Sequence, residues 1–278
     1  MRNYRILDGF WIRIIAIITM VIDHLALGLG LFSFLDTSSN LYWILRIIGR
    51  LSFPLFALGI VEGMIHTSNK EKYLLRLLGM LVLTSVSIYL ITDVFKIVSY
   101  TSGNIFIDLF LGALIIYFLT FKNKTSLLSL LAIGVVALIQ FPNTPNFLKP
   151  SYSFYGVSLI VLLYLGYLFA CYNAKLKANK YMMDYEDYKL TTYYQGDINR
   201  MYALMIILTN IIFFIICMYF PYFNQILVMS VQDYSIISII FVILYNGKHG
   251  YSSKWFKIFN YLFYPLHLII IFSLLYLL

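Results

Sequence analysis

The sequence predicts an all-α integral membrane protein, a single bundle of about nine transmembrane helices. Three observations predict it. Hydrophobic residues make up 62% of the 278 and charged residues only 12%, with a mean hydropathy of +0.85, whereas a soluble domain carries roughly 25% charged residues. Most of a folded protein's surface faces water, so no soluble fold hides that much apolar side chain. The apolar runs are about 20 residues long, the length a helix needs to cross the hydrocarbon core. Finally, the charges fall in short clusters between those runs. Backbone groups in lipid must be satisfied within each segment, which selects helices; the alternating pattern of a membrane β-barrel is absent.

The apolar segments span residues 10–32, 41–65, 73–92, 104–121, 125–141, 153–172, 201–220, 224–245 and 255–278. The fifth is short and the eighth contains Gln232 and Asp233, so eight helices is the alternative count. Placing the connections alternately inside and outside gives an inner set of Arg2, Arg5, Lys70, Lys72, Arg76, Lys122, Lys124, Lys175, Lys177, Lys180, Lys189, Arg200, Lys248, Lys254 and Lys257. The outer set holds only Lys96 and Lys149. This asymmetry predicts a cytoplasmic N-terminus and an external C-terminus in a multi-pass protein of the cell membrane. It also explains the net charge of +8 as a topology signal and argues against nucleic acid as a partner.

Residues 1–278 form one domain with no internal repeat of useful length, which disfavours a transporter built from inverted repeats. The longest connection, 173–200, is expected to be a charged cytoplasmic loop that could hold an interfacial helix. Cys171 and Cys217 fall near opposite membrane faces, too far apart for a disulfide, and match no metal motif. Arg2 and Arg5 before an apolar stretch resemble a signal peptide. The stretch is too long for one, lacks a cleavage site and contains Arg13, Asp23 and His24, so it is expected to be retained.

Ionisable residues inside apolar runs carry the functional signal. Arg13, Asp23, His24, Arg46, Arg50, Glu62, Asp108, Asp233 and His267 all fall within or at the edge of a segment. A charge near the bilayer centre costs roughly 2.5–3.5 kcal/mol even on the lenient insertion scale, so such groups pair or face a wet cavity. Counting about 1.5 Å per helical residue brings His24, Arg50, Asp233 and His267 to similar depth. Arg13 and Glu62 lie nearer the cytoplasmic face, where snorkelling or pairing is the simpler explanation. Arg46 and Arg50 share a helix face, Gly49 and Ser52 allow close helix approach there, and Pro54 is expected to kink the helix beside them. Asp23 and His24 point about 100° apart, so the orienter of His24 must come from another helix, with Asp108 or Asp233 as the candidates. His267 follows Pro265, and bonding to the backbone that proline frees is an equally good explanation for it.

Residues 16–25, AIITMVIDHL, resemble the first-helix signature of the TraX family, named for the F-pilin acetylase. Residues 46–57, RIIGRLSFPLFA, are similar to its second-helix signature, followed by Glu62-Gly63. Asn104-Ile105-Phe106, Tyr155-Gly156, Asn246-Gly247-Lys248-His249-Gly250 and Tyr264-Pro265-Leu266-His267-Leu268 continue the likeness. Leu7-Asp8-Gly9 and Asp23-His24 also resemble the opening of the large membrane acyltransferase superfamily, in which a first-helix histidine is taken as catalytic and acyl-CoA is the donor.

The resemblance implies transfer of an acyl group, in the first instance acetyl, from acetyl-CoA to an amine or hydroxyl of a peptide, polysaccharide or lipid acceptor, with no metal. On that reading His24, Arg50 and Asp23 form the catalytic group, with His24 as general base and Arg50 assisted by Arg46 at the oxyanion. Arg46, Glu62, Asn104, Asp108, Asp233, Tyr264 and His267 would line the substrate path, and Arg13 and Lys248 would meet the phosphates of the donor at the basic face. The alternative is a transporter or flippase using the same buried charges as a proton or ion path. A non-catalytic assembly component is a third class.

Overall fold

The computed structural model describes residues 4–99, 103–121, 124–139, 144–220 and 232–278. Among these the secondary structure is helical, apart from two isolated bridges. The order is α1 (Gly9–Leu31), α2 (Asn40–Gly49), α3 (Ser52–His66), α4 (Lys70–Tyr89) continued by a π turn at Leu90–Val94, and α5 (Ile105–Leu119). There follow α6 (Leu128–Leu138), α7 (Ser153–Lys180), α8 (Tyr185–Leu190), α9 (Thr192–Tyr219), α10 (Ile239–Leu244) entered through a 3-10 turn at Gln232–Ser238, and α11 (Lys254–Leu277).

Six helical stretches are long and apolar enough to cross a membrane: Gly9–Leu31, Asn40–His66, Lys70–Val94, Ser153–Lys180, Thr192–Tyr219 and Lys254–Leu277. The other three expected segments hold shorter apolar helices, Ile105–Leu119, Lys124–Leu138 and Gln232–Leu244. At 1.5 Å per residue α5 is about 22 Å long, less than the ~30 Å hydrocarbon core. Length and composition therefore establish a multi-helix membrane protein without by themselves fixing nine crossings. Residues 224–231 of the eighth expected segment lie outside the described residues.

α7 lies at the centre, packed on α9, α5 and α3, with α1, α4 and α11 closing the bundle. Small residues set the closest approaches. A Cβ on Gly112 of α5 would fall 2.7 Å from the Ile160 side chain of α7, and one on Gly49 of α2 would fall 2.3 Å from Asp23 of α1. That is the close packing expected where helices associate without a hydrophobic drive from water.

One expectation about the elements holds and one needs correction. The second segment bends beside the arginines, as expected from Pro54. It breaks between Gly49 and Ser52, four residues before Pro54, with Arg50 as the C-cap of α2. The reason is steric: a proline ring clashes with the carbonyl four residues earlier, which here is Arg50, while proline is accepted in the first turn of α3. The 173–200 segment is not chiefly loop. α7 runs to Lys180 and α9 begins at Thr192, leaving only α8 and short turns between. The extension closes over a small core of Ala174, Ala178 and Tyr188. Asp197 holds it electrostatically, accepting from Lys177 Nζ at 2.7 Å and from Tyr188 Oη at 3.0 Å.

The amino end of α1 is bound to the turn before α11. Asp8 caps the helix, accepting from the Phe10 and Trp11 amides. Leu7 N donates to Leu244 O, Asn246 N to Leu7 O, and Gly9 N to Lys248 O at 2.7 Å. Gly250, at φ +71°, lies against the Asp8 carboxylate where a side chain would collide. The motifs at residues 7–9 and 246–250 are thus one structural unit.

Candidate active site

Asp23 and His24 are neighbours on α1 and face different helices. Asp23 meets the α2 carboxyl end. Its Oδ1 is 3.0 Å from Arg46 Nη1 and its Oδ2 accepts from Arg50 Nη2. The group of one carboxylate and two guanidiniums carries a net positive charge inside an apolar bundle. Arg50 is further placed by Nε donating to Arg46 O at 3.3 Å, by Gln232 Oε1 at 3.5 Å and by the Tyr152 ring at 5.9 Å. Tyr152 in turn stacks on Phe53 at 4.0 Å.

His24 faces α11. Its Nδ1 is 2.7 Å from His267 Nε2, and the two rings stack with centroids 4.9 Å apart. His267 Nδ1 is 3.1 Å from Phe263 O. A carbonyl only accepts, so His267 carries its proton on Nδ1, its Nε2 accepts, and the proton between the rings belongs to His24 Nδ1. In this neutral tautomer the lone pair of His24 is on Nε2. Tyr264 packs edge-on against both imidazoles, with centroids 6.2 Å from His24 and 5.1 Å from His267.

A pocket of about 30 Å³ is lined by Met20, Asp23, His24, Arg50, Ser52, Ile105, Ser151, Tyr152 and Tyr264. That is room for about two waters, or a group of a few heavy atoms. It joins a histidine, a guanidinium and hydroxyl groups in one enclosure, the elements needed for proton transfer and for stabilising developing negative charge.

Of the expected site residues, the structure brings His24, Asp23, Arg50 and Tyr264 to this pocket; His267, expected along the substrate path, is not a wall of it and lies behind His24. Other expected site residues are elsewhere. Arg46 is not a pocket wall; it holds Asp23. Asp108 does not orient His24. Fully buried, its carboxylate accepts the Ser151, Tyr152 and Ser153 amides at 2.9, 3.0 and 2.6 Å and so caps α7 from α5. The unpaired amides at a helix start demand such an acceptor. Asp233, half-buried in the 3-10 turn before α10, is not the orienter either. Asn104, fully buried, caps α5 at the Phe106 amide and donates to Leu81 O and Ser85 Oγ, both at 3.0 Å. Glu62 lies outside the pocket, accepting from Tyr202 Oη at 2.7 Å and Tyr245 Oη at 3.2 Å. Arg13 donates to Gly9 O and His249 O, against the turn that holds exposed Lys248.

The pocket walls Ser151 and Tyr152 are missing from the sequence reading, which takes Gln232 only as a polar residue of the eighth segment and not as the Arg50 partner. No periodicity marks them, because they enter from loops and a 3-10 turn. Nearby, Tyr155 Oη pairs with Ser235 Oγ at 2.8 Å, and Ser235 donates to Asn210 Oδ1 at 3.1 Å. This buried polar string ties α7 to α9 and to the turn carrying Gln232.

Fold and site together define a multi-helix membrane protein with a charged, histidine-containing pocket inside its bundle. The family model described as TraX protein matches residues 9–183, more than half of the sequence, and the chain belongs to the TraX family. The matched region carries Asp23, His24, Arg46 and Arg50 and ends before His267. The chain is also 45% identical, over 71 residues, to the probable fimbrial assembly protein FimC, serogroup H1, of Dichelobacter nodosus. That stretch is 26% of this chain and 27% of the relative, so the match spans about a quarter of each. No solved structure matches the chain.

Proposed function

We propose that the protein is a membrane-embedded acyltransferase that moves an acetyl group from acetyl-CoA to an amine or hydroxyl of an acceptor. The observation that carries this reading is the His24–His267 pair opening onto a pocket with Arg50. His24 Nε2 removes the acceptor's proton. His267 fixes the tautomer through its own bond to Phe263 O and shares the imidazolium charge as it forms. Arg50, held by Asp23, faces the oxyanion of the tetrahedral intermediate. The partial likeness to a fimbrial assembly protein favours a peptide acceptor of the surface-filament kind over a polysaccharide or lipid. Acetyl-CoA would approach the basic face, where Arg13 and Lys248 lie near the start of α1. The direct test is purified full-length protein with radiolabelled acetyl-CoA. Release of CoA by slow hydrolysis supports the reading; passage of a solute across proteoliposomes without any thioester cleavage favours a transporter instead.

The topology proposed with it is nine crossings, N-terminus inside and C-terminus outside, resting on the basic asymmetry of the connections. A C-terminal reporter active only in the cytoplasm should therefore be silent. Activity there would mean an even number of crossings.

His267 is a positioning residue on this reading. His267→Leu removes the acceptor for His24 Nδ1–H and should lower kcat by about 10–100-fold, less than the ~10⁴-fold seen when a triad histidine loses its tautomer partner. His267→Gln keeps a carbonyl oxygen as acceptor and should recover part of that loss, with KM for acetyl-CoA little changed in both. Equal kcat for the two variants would overturn the tautomer assignment.

A further inference from the structure

The pocket contains a hydroxyl that the mechanism above does not use. Ser151 lines it together with His24 and Arg50. Its position is fixed, because its amide donates to Asp108 Oδ2 at 2.9 Å as part of the α7 cap. Its Oγ is buried and has no hydrogen-bond partner among the described residues. Ser52, the other serine in the pocket, is committed elsewhere, donating to Gly49 O at 2.8 Å. A buried hydroxyl left unpaired is unfavourable and calls for an explanation in use.

The size of the pocket supplies one. About 30 Å³ is room for a group of a few heavy atoms, the size of an acetyl. In the proposed topology donor and acceptor come from opposite faces: acetyl-CoA from the side where α1 starts, an external acceptor from the side where α7 starts beside Ser151. A carrier that holds the acetyl group between two half-reactions meets both constraints.

Resting on the acyltransferase reading, we propose that Ser151 is that carrier and is acetylated as an ester during the cycle. Ser151 Oγ attacks the thioester carbonyl carbon while its proton passes to His24 Nε2. The tetrahedral oxyanion faces Arg50. Collapse breaks the carbon–sulfur bond, and the leaving CoA thiolate takes the proton from His24. In the second half-reaction the acceptor amine or hydroxyl attacks the ester carbonyl and gives its proton to His24. Collapse expels the Ser151 oxygen, which regains that proton. This is a Ser-His arrangement oriented by a second histidine, by the same logic as nucleophile–base–orienter sites elsewhere.

The experiment uses full-length protein in detergent micelles, pulsed with radiolabelled acetyl-CoA without acceptor, quenched in acid and digested. The expected result is one acetyl group on the peptide containing Ser151, removed by alkaline hydroxylamine, with a burst of CoA stoichiometric with protein. Ser151→Ala should lose the label and drop transfer at least about 10²-fold. Ser151→Cys should keep the label as a thioester, which separates loss of the nucleophile from loss of fold. Label on a His24 peptide, or Ser151→Ala transferring at the wild-type rate, would overturn the ester. Turnover of acetyl-CoA without label on Ser151 would overturn the ester alone, whereas no turnover at all would overturn the acyltransferase reading beneath it.

Discussion

His24→Ala should reduce acyl transfer by about 10²–10⁴-fold, the usual contribution of a general base. On the proposed reading its imidazole is the pocket's proton acceptor, with the lone pair on Nε2 while Nδ1–H is engaged with His267. The neighbours should survive the change. His267 keeps its bond to Phe263 O, and Asp23 keeps both arginines, since it faces α2 while His24 faces α11. Insertion and acetyl-CoA binding should therefore remain close to wild type, because the donor's phosphates would sit near the start of α1, about 20 Å away by helix rise. The measurement is transfer and donor binding on the same purified variants. Wild-type transfer would remove the base assignment; loss of donor binding together with transfer would make His24 a donor-site or structural residue.

The second large effect is on stability. Asp23→Ala should destabilise the protein by about 3–5 kcal/mol, the usual result of removing one member of a buried charge pair. Two guanidiniums at the end of α2 would then be left beside the Gly49 contact with their shared carboxylate gone. At a few degrees per kcal/mol this is a fall of roughly 10 °C in the unfolding temperature in detergent. Combining Asp23→Ala with Arg46→Leu should restore part of it, since one of the stranded charges is removed as well. Additive effects in that cycle would show that the residues do not interact energetically, and an unchanged unfolding temperature for Asp23→Ala would show that the charge group carries no stability.

Much of the architecture is legible in the residue pattern because the bilayer imposes a simple rule: long apolar runs become helices. Each expected segment contains an apolar helix in the described residues. The close approach at Gly49 and the divergence of Asp23 from His24 follow from helix geometry, and the structure bears both out. What does not follow is anything set by tertiary partners. Asp108 was open to a site role because an acid in an apolar run looks functional; its true partners are backbone amides, which every residue has and no motif marks. Likewise, His24 and His267 are 243 residues apart, and spacing along one helix carries no information about such a pair. The break at Arg50, by contrast, falls beside the arginines as expected, because proline acts on the carbonyl four residues upstream.

The bond between His24 and His267 also sets the order in which the protein acquires its chemistry during synthesis. α1 emerges from the ribosome first, with its histidine lacking an orienting partner and its amino end lacking the Lys248 carbonyl that holds Gly9. Both are supplied only after the rest of the bundle has been made, by the turn at 246–250 and by α11. A nascent chain interrupted anywhere before α11 therefore places the Asp23–Arg46–Arg50 group in the membrane while still lacking both the imidazole that bonds His24 and the Tyr264 wall of the pocket.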